Sequence, residues 1–143
     1  MKFSLTILAV LLSVSIYAQI KPVNFNDCKV DRMFVSAETE PKWNCDSVGM
    51  IDFMNKYLND KELSHVNQGR IIVGILIYED GKTCCKSFFN LASSALSSEA
   101  IKDAVNRMPN WIPALQNGKP ITFLKQHVFL IKDGKFVANW VVL

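Results

Sequence analysis

The chain has 143 residues, half of them hydrophobic, and its 16 basic and 13 acidic residues give a formal net charge of +3. This length is typical of one domain whose apolar core does not depend on disulfide bonds. The charges of both signs are scattered, without a run of five or more of one sign, which argues against nucleic acid or an anionic membrane surface as the main partner.

The N-terminus is predicted to be a secretory signal peptide. Lys2 gives a basic start, residues 3–16 form an apolar run, and Ala18 is a small residue before a cut. The run is shorter than the about 20 residues of a transmembrane helix, and an uncleaved anchor is the alternative. Cleavage near Ala18 would export the protein. The predicted parts are the signal peptide, residues 1–18, a flexible lead-in, residues 19–31, and a single domain, residues 32–143.

A short strand and a helix open the predicted domain. Residues 33–35 are an apolar piece suited to a sheet edge, and Pro41 favours an extended backbone after it. Asp46 or Ser47 is a natural N-cap for the helix that follows. The apolar stripe of this helix consists of Met50, Met54, Tyr57 and Leu58.

The strongest structural signal is a β-hairpin. Residues 71–78 are nearly all β-branched or aromatic, and residues 83–90 form the return strand. Asp80 and Gly81 between them are a hairpin turn signal, because both tolerate positive φ. The uniformly apolar face of the first strand consists of Ile71, Val73, Ile75 and Ile77.

A second helix and a third strand complete the pattern. Ser97 caps the helix, Glu99 lies in its first turn and Pro109 ends it. Residues 121–131 form a long strand, and residues 136–143 form a short strand that returns against it. The stripe of the second helix consists of Ile101, Ala104, Val105 and Met108. The order helix, strand, strand, helix, strand predicts an α+β fold, an antiparallel sheet of three to four strands with two helices packed on one face.

The segment between the second helix and the third strand, "RMPNWIPALQNGKPI", combines three prolines with a Trp. We expect Trp111 and Ile112 to fill the gap between the helix end and the sheet, with a turn at Asn117 and Gly118. The alternative is a surface binding loop.

Four cysteines, Cys28, Cys45, Cys84 and Cys85, follow the predicted cut, and an even number in an exported chain suggests disulfide bonds. Neighbouring residues on a strand point to opposite faces, so Cys84 and Cys85 are not expected to bond each other. We predict that one of them pairs with Cys28 and the other with Cys45, in either order. Four thiols are the alternative, and a zinc site is disfavoured because no Cys-x-x-Cys spacing occurs.

Several segments in register resemble the C-terminal domain of TonB. They are "AETEPKW", "GRIIVGILIYEDGK", "LSSEAI" and "MPNWIPALQNGKPI", within residues 37–131. The residues that carry this structural signature are Gly69, Asp80, Gly81, Met108, Pro109, Trp111, Pro113, Gly118 and Pro120.

The resemblance implies a periplasmic module that binds a segment of an outer-membrane receptor or other envelope protein by β-strand addition. The matching edge strand would be residues 121–131, and a homodimer through the same edge is possible. The implied partner-binding residues are Thr122, Leu124, Lys125, Gln126, His127 and Val128. A solvated edge that discourages aggregation is the alternative interpretation of its polar residues.

Two alternatives to this binding module remain open. One is a membrane-anchored energy transducer, and the other is a secreted disulfide-stabilised domain without transport coupling. The thirteen residues of lead-in reach at most about 45 Å when extended, which is short for a transducer that crosses the periplasm. The sequence lacks hydrolase, metalloprotease and nucleotide-binding motifs. We therefore expect no enzyme activity, cofactor or metal, and give a redox role of the Cys84-Cys85 pair little weight because the spacing is not a redox motif.

Overall fold

A computed structural model describes residues 21–45, 49–58, 60–92 and 94–142. The predicted signal peptide and the candidate caps Asp46 and Ser47 lie outside these residues. In chain order the elements are β1 (Val23–Asn24), α1 (Met50–Tyr57), α2 (Asp60–Leu63), β2 (Gln68–Ile77), β3 (Thr83–Asn90), α3 (Ser98–Asn106), β4 (Ala114–Gln116), β5 (Lys119–Ile121), β6 (Phe123–Lys132) and β7 (Lys135–Val141).

Five strands form one antiparallel sheet in the order β1-β3-β2-β6-β7, and β4 and β5 form a separate antiparallel pair. The helices α1 and α3 contribute to one apolar cluster with the sheet. The predicted α+β class is therefore confirmed. The sheet has one strand more than the three to four predicted, because β1, from the predicted flexible lead-in, pairs with β3.

The helix-facing side of the sheet is the apolar face that the sequence predicts. Ile71, Val73, Ile75 and Ile77 of β2 have no exposed surface. Each such burial contributes about 1.5–3 kcal/mol relative to an exposed side chain, so this row alone fixes which face of β2 points to the helices. The helix residues buried in the same cluster are Met50, Phe53 and Met54 of α1 and Ile101, Ala104 and Val105 of α3.

The β2–β3 turn lies at the predicted residues, although Gly81 and not Asp80 has positive φ, and it has a second role. Gly81 has φ 83°, and its carbonyl oxygen accepts a hydrogen bond from the Trp111 N–H at 2.9 Å. A Cβ on Gly81 would lie 2.2 Å from the backbone oxygen of Trp111. Any other residue here would meet both a strained φ and a backbone clash. The turn is thereby joined to the segment that follows α3.

The predicted lead-in is held against the sheet, so its predicted flexibility is wrong for residues 23–28. Residues 21–35 are called the N-terminal arm below. Val23 pairs with Phe88 of β3, and Phe25 is buried in the core cluster. Cys28 forms a disulfide bond with Cys84. The arm has no hydrophobic period because only single residues of it enter the core.

After Cys28 the N-terminal arm crosses the sheet on the side away from the helices. Cys84 lies on β3, whereas Phe34 forms a parallel bridge with Phe123 of β6, so the arm passes over β2 between them. Leu76 of β2, which pairs with both Cys84 and Leu124, is fully buried although it faces away from the helices. The predicted edge strand at residues 33–35 thus corresponds to this bridge.

The Trp-Pro segment is a buttress in part. Trp111 is buried, with its ring 5.6 Å from that of Trp43 in an edge-to-face contact. Ile112 is 47% exposed, so its predicted burial is wrong. Asn117 and Gly118 both have positive φ and form the β4–β5 turn, as predicted. The backbone of Ile112 pairs with that of Lys42 at the surface, and the Ile112 side chain faces the solvent.

Candidate strand-binding edge

The strand predicted to be the binding edge is a central strand. β6 pairs with β2 along residues 123–132 and with β7 along residues 127–132. Its backbone groups are therefore occupied on both sides over that second range. The prediction of an edge at residues 121–131 is wrong for this reason, because the final strand returns along β6 and takes the edge position itself.

The six predicted contact residues are correspondingly divided. Thr122, His127 and Val128 are buried, Leu124 and Lys125 are partly buried, and Gln126 is exposed. Lys125 Nζ lies 3.1 Å from Glu40 Oε2 and donates to the Pro41 carbonyl oxygen at 3.2 Å. Lys125 thus fastens the chain before α1 to the sheet. The six residues do not form one exposed surface.

A short stretch of β6 keeps an opening. The Leu124 N–H donates to Phe34 O at 2.8 Å, and Gln126 O accepts from the Val142 N–H at 2.9 Å. Between these two bonds lies a cavity of about 210 Å³, which Val35 and Val141 help to line. It is too short for an extended segment of several residues, because its two ends are closed by the chain itself.

The outer side of β7 is a better candidate. The Val142 N–H points to β6, and backbone groups alternate in direction along a strand, so those of Asn139 and Val141 point away from the sheet. No β-bridge or backbone hydrogen bond on that side of these two residues occurs within the described chain. Three large apolar side chains near it are exposed, Val137 at 49%, Trp140 at 43% and Val142 at 43%.

One side chain closes the other end of this edge. Asn55 of α1 donates from Nδ2 to Phe136 O at 2.9 Å and accepts from the Phe136 N–H at Oδ1 at 2.8 Å. The amide therefore pairs with Phe136 as a neighbouring strand would. Asn139 is positioned nearby by its contact to Met50 Sδ at 3.2 Å. The open edge thus runs from Asn139 to Val141.

At the opposite side of the sheet, the N-terminal arm and α3 contact the backbone of β3. The Lys86 carbonyl oxygen of β3 accepts from the Phe25 N–H at 3.0 Å. The Cys85 N–H donates to Asn106 Oδ1 of α3 at 2.8 Å. An ion pair between Lys102 and Asp27 at 2.5 Å holds the N-terminal arm to α3. The edge strand on this side, β1, has only two residues, so β7 is the longer of the two edges.

His127 lies in the core and not at a binding edge. It is 5% exposed, and its ring centroid is 5.8 Å from that of Trp111 and 6.0 Å from that of Phe129. Among the described residues, neither ring nitrogen has a hydrogen-bond partner, and the same is true of Trp111 Nε1. Burial, with a smaller contribution from Lys125, lowers the pKa of His127 to about 4. The imidazole is therefore neutral at physiological pH.

One of the two predicted disulfide bonds is present. The bond between Cys28 and Cys84 confirms that Cys28 pairs with one of the two neighbouring cysteines. Cys45 and Cys85 are thiols, so the second predicted disulfide does not form. Cys85 points into the core, and burial raises its pKa to about 12. A thiol held in this protonated state is a poor nucleophile.

The residues of the predicted signature occupy structural positions. Met108 and Trp111 are buried below the end of α3, and Gly69 lies so close to Ala92 that an added Cβ would be 2.4 Å from the Ala92 Cβ. Asp80 accepts from the Lys82 N–H in the β2–β3 turn at 3.0 Å. Pro113 is partly buried, whereas Pro120 is exposed on β5.

The sequence did not indicate β7 as the candidate binding edge, although the returning strand itself was predicted. The predicted return of residues 136–143 against residues 121–131 already indicated this, because a strand with a neighbour on both sides is not an edge. Asn55 could not have been found, since nothing local to α1 indicates a contact with Phe136.

Other kinds of site receive little support from the geometry. A groove of about 760 Å³ between the N-terminal arm and the β4–β5 turn is lined by Arg32, Lys119 and Glu79 among others, and mixes both charges. In the part of the chain that the structure describes, no three His, Cys, Asp or Glu side chains come together as metal ligands. None of the helices in that part has the length and apolar character needed to span a membrane.

Comparison with known proteins yields no relative: no family model, curated protein or solved structure matches the chain.

Proposed function

We propose that this chain is a protein-binding domain of the cell envelope, similar to the TonB C-terminal domain, that receives an extended segment of a partner along β7. The observation that carries the proposal is the unoccupied outer side of Asn139 and Val141, next to exposed apolar side chains. In strand addition, backbone hydrogen bonds supply affinity and alternate side chains supply selectivity. The proposed role is binding without catalysis.

The surroundings of β7 define what such a segment would meet. Its side chains on one face would lie beside Trp140 and Val142, which are exposed and apolar. Those on the other face would lie beside Asn139 and Val141, next to α1. Asn55 blocks extension beyond Phe136, so the segment is short. A second copy of this chain is the alternative occupant of the same edge, and its binding there would form a homodimer.

The disulfide supports the proposed compartment. A bond between Cys28 and Cys84 persists in an oxidising environment such as the periplasm. It also holds the N-terminal arm against β3, which lies next to β1 on the side of the sheet opposite β7. Export and a periplasmic location are therefore part of the proposal.

A titration followed by NMR tests the proposal. The oxidised protein, labelled with ¹⁵N, is titrated with a synthetic TonB-box peptide. Backbone amide shifts are expected at Asn139 and Val141 and only small ones at Gln126. An absence of shifts on β7 at millimolar peptide, or shifts confined to another edge, would sink the proposal.

Two proline variants give a matched comparison. Val141→Pro removes an N–H that points away from the sheet, whereas Val142→Pro removes the N–H that bonds Gln126 within it. Proline is tolerated on an edge strand when the lost N–H faces solvent. Val141→Pro should therefore retain stability and lose peptide affinity, and Val142→Pro should do the reverse. Equal affinities in the two variants would contradict binding along β7.

A further inference from the structure

The side of the sheet away from the helices is divided into a covered and an open half. The N-terminal arm crosses the half that contains Cys84, Leu76 and Leu124. The register places the other half beyond the row of Ser87, Gly74 and Gln126. We call this uncovered half the open face.

An apolar row runs across the open face. Phe89 pairs with Ile72, Ile72 with Val128, and Val128 with Trp140, so four strands each contribute one side chain. Cross-strand partners point to the same face of a sheet. Val128 in this row is buried, Ile72 and Phe89 are partly buried, and Trp140 at the end is 43% exposed. The row thus ends in a large amphipathic ring at its exposed margin.

A cationic end adjoins this row. The pair of Arg70 and Leu130 is the next one on this face after the pair of Ile72 and Val128. Lys132 pairs with Lys135 at the β6–β7 turn. All three cationic side chains are exposed. None takes part in a salt bridge among the described residues. The three cations come together only because the sheet aligns strands that are distant in the sequence.

Acidic residues are absent from this sheet. None of β1, β2, β3, β6 and β7 contains Asp or Glu within its described bounds. The nearest one along the chain is Asp133, in the turn between Lys132 and Lys135. The charges that are mixed along the sequence are therefore segregated in the fold, with the acidic side chains on helices, turns and loops.

We propose that the open face binds an anionic lipid surface, with Trp140 and Phe89 at the interface and Arg70, Lys132 and Lys135 against the headgroups. Trp favours the membrane–water interface because its ring is apolar and its N–H is polar. Cations close to an anionic leaflet each add attraction of about fivefold in partitioning. A second copy of the chain is a poorer occupant, because its open face carries the same positive charge. This inference is independent of strand addition at β7.

Vesicle partitioning of the full chain tests the inference. The probes are vesicles of phosphatidylcholine alone and vesicles in which about a third of the lipid is phosphatidylglycerol. The variant Arg70→Gln/Lys132→Gln/Lys135→Gln should partition about 100-fold more weakly into the anionic vesicles, from three contributions of about fivefold. The control Lys42→Gln/Arg107→Gln/Lys119→Gln removes the same charge from exposed positions elsewhere. All variants carry the same residues 1–20, so any contribution of that segment cancels.

Fluorescence locates the contact. Brominated anionic lipid should quench the emission of the wild type. Trp140→Phe should lose most of that quenching, because Trp111 is buried and Trp43 is partly buried against the core. Thermal unfolding of each variant confirms that it is folded. Equal losses of partitioning in the two triple variants, equal binding to neutral vesicles, or quenching that survives Trp140→Phe would each overturn the inference.

Discussion

The Asn55 side chain makes two hydrogen bonds to the backbone of Phe136, at 2.9 Å to its carbonyl oxygen and 2.8 Å from its N–H. A residue of α1 thereby ends the free edge of β7. Edge strands expose unpaired backbone groups that template further pairing, and this contact removes one such pair from the surface.

Asn55→Ala is expected to destabilise the protein and lengthen the open edge. The two lost bonds cost about 1–3 kcal/mol in total, and Phe136 becomes available to a partner strand. Urea unfolding measures the first effect, and concentration-dependent sedimentation measures self-association. Asn110→Ala, at an exposed position, should change stability by no more than about 0.5 kcal/mol. An unchanged midpoint in Asn55→Ala would mean that the contact is not maintained in solution.

His127 should make stability depend on pH. Its folded pKa of about 4 lies below the ordinary 6.5, so the unfolded chain takes up a proton first as the pH falls. The stabilisation is complete above pH 6.5 and is lost progressively between 6.5 and about 4. A pKa shift of this size corresponds to a decrease of about 3 kcal/mol in the free energy of unfolding at acidic pH. Urea unfolding at a series of pH values measures it.

His127→Phe should reduce this pH dependence and also remove two buried nitrogens without hydrogen-bond partners. A slope that His127→Phe does not alter would assign the effect to other groups.

The disulfide should stabilise the fold through the size of the loop that it closes. Cys28 and Cys84 are 56 residues apart, and closure of a loop of this length is worth about 4 kcal/mol in the chain-entropy description. Cys28→Ser/Cys84→Ser should lose about that amount and should increase hydrogen exchange at Phe25, where the N-terminal arm meets the core. Cys45→Ser leaves the bond intact and serves as the control. Protection of Phe25 that is unchanged in the double variant would show that the arm holds without the bond.

Trp111 should be needed for stability before it affects any partner. Truncation of a buried aromatic costs about 3–5 kcal/mol, so Trp111→Ala is expected to unfold readily. Trp111→Phe keeps most of the packing and removes Nε1, which has no hydrogen-bond partner, and should cost much less. A stable Trp111→Ala protein that has lost peptide binding would make this segment a binding site instead of a buttress.

Local patterns explain which predictions succeeded. The period-two row of β2 and the helical stripe of α3 are readable because each repeats over several residues that share one environment. In α1 the predicted stripe is only partly correct, because Tyr57 is 42% exposed and Phe53 is buried. The Asp80-Gly81 and Asn117-Gly118 turns depend on backbone preferences of the residues themselves. The N-terminal arm has no such repeat, since Phe25 and Cys28 make contacts of different kinds, and its burial was missed.

The sequence alone determined the α+β class, the helix-facing side of the sheet and the turns, because these follow from side-chain period and backbone preference. Only the tertiary structure decided that β7 and not β6 is the edge, that Cys84 and not Cys85 meets Cys28, and that His127 is buried. It also gathered Arg70, Lys132 and Lys135 on one face. The physical reason is shared by all four outcomes. Strands carry the same backbone groups whatever their sequence, so which strands become neighbours is settled by long-range packing, and every site on the sheet depends on that choice.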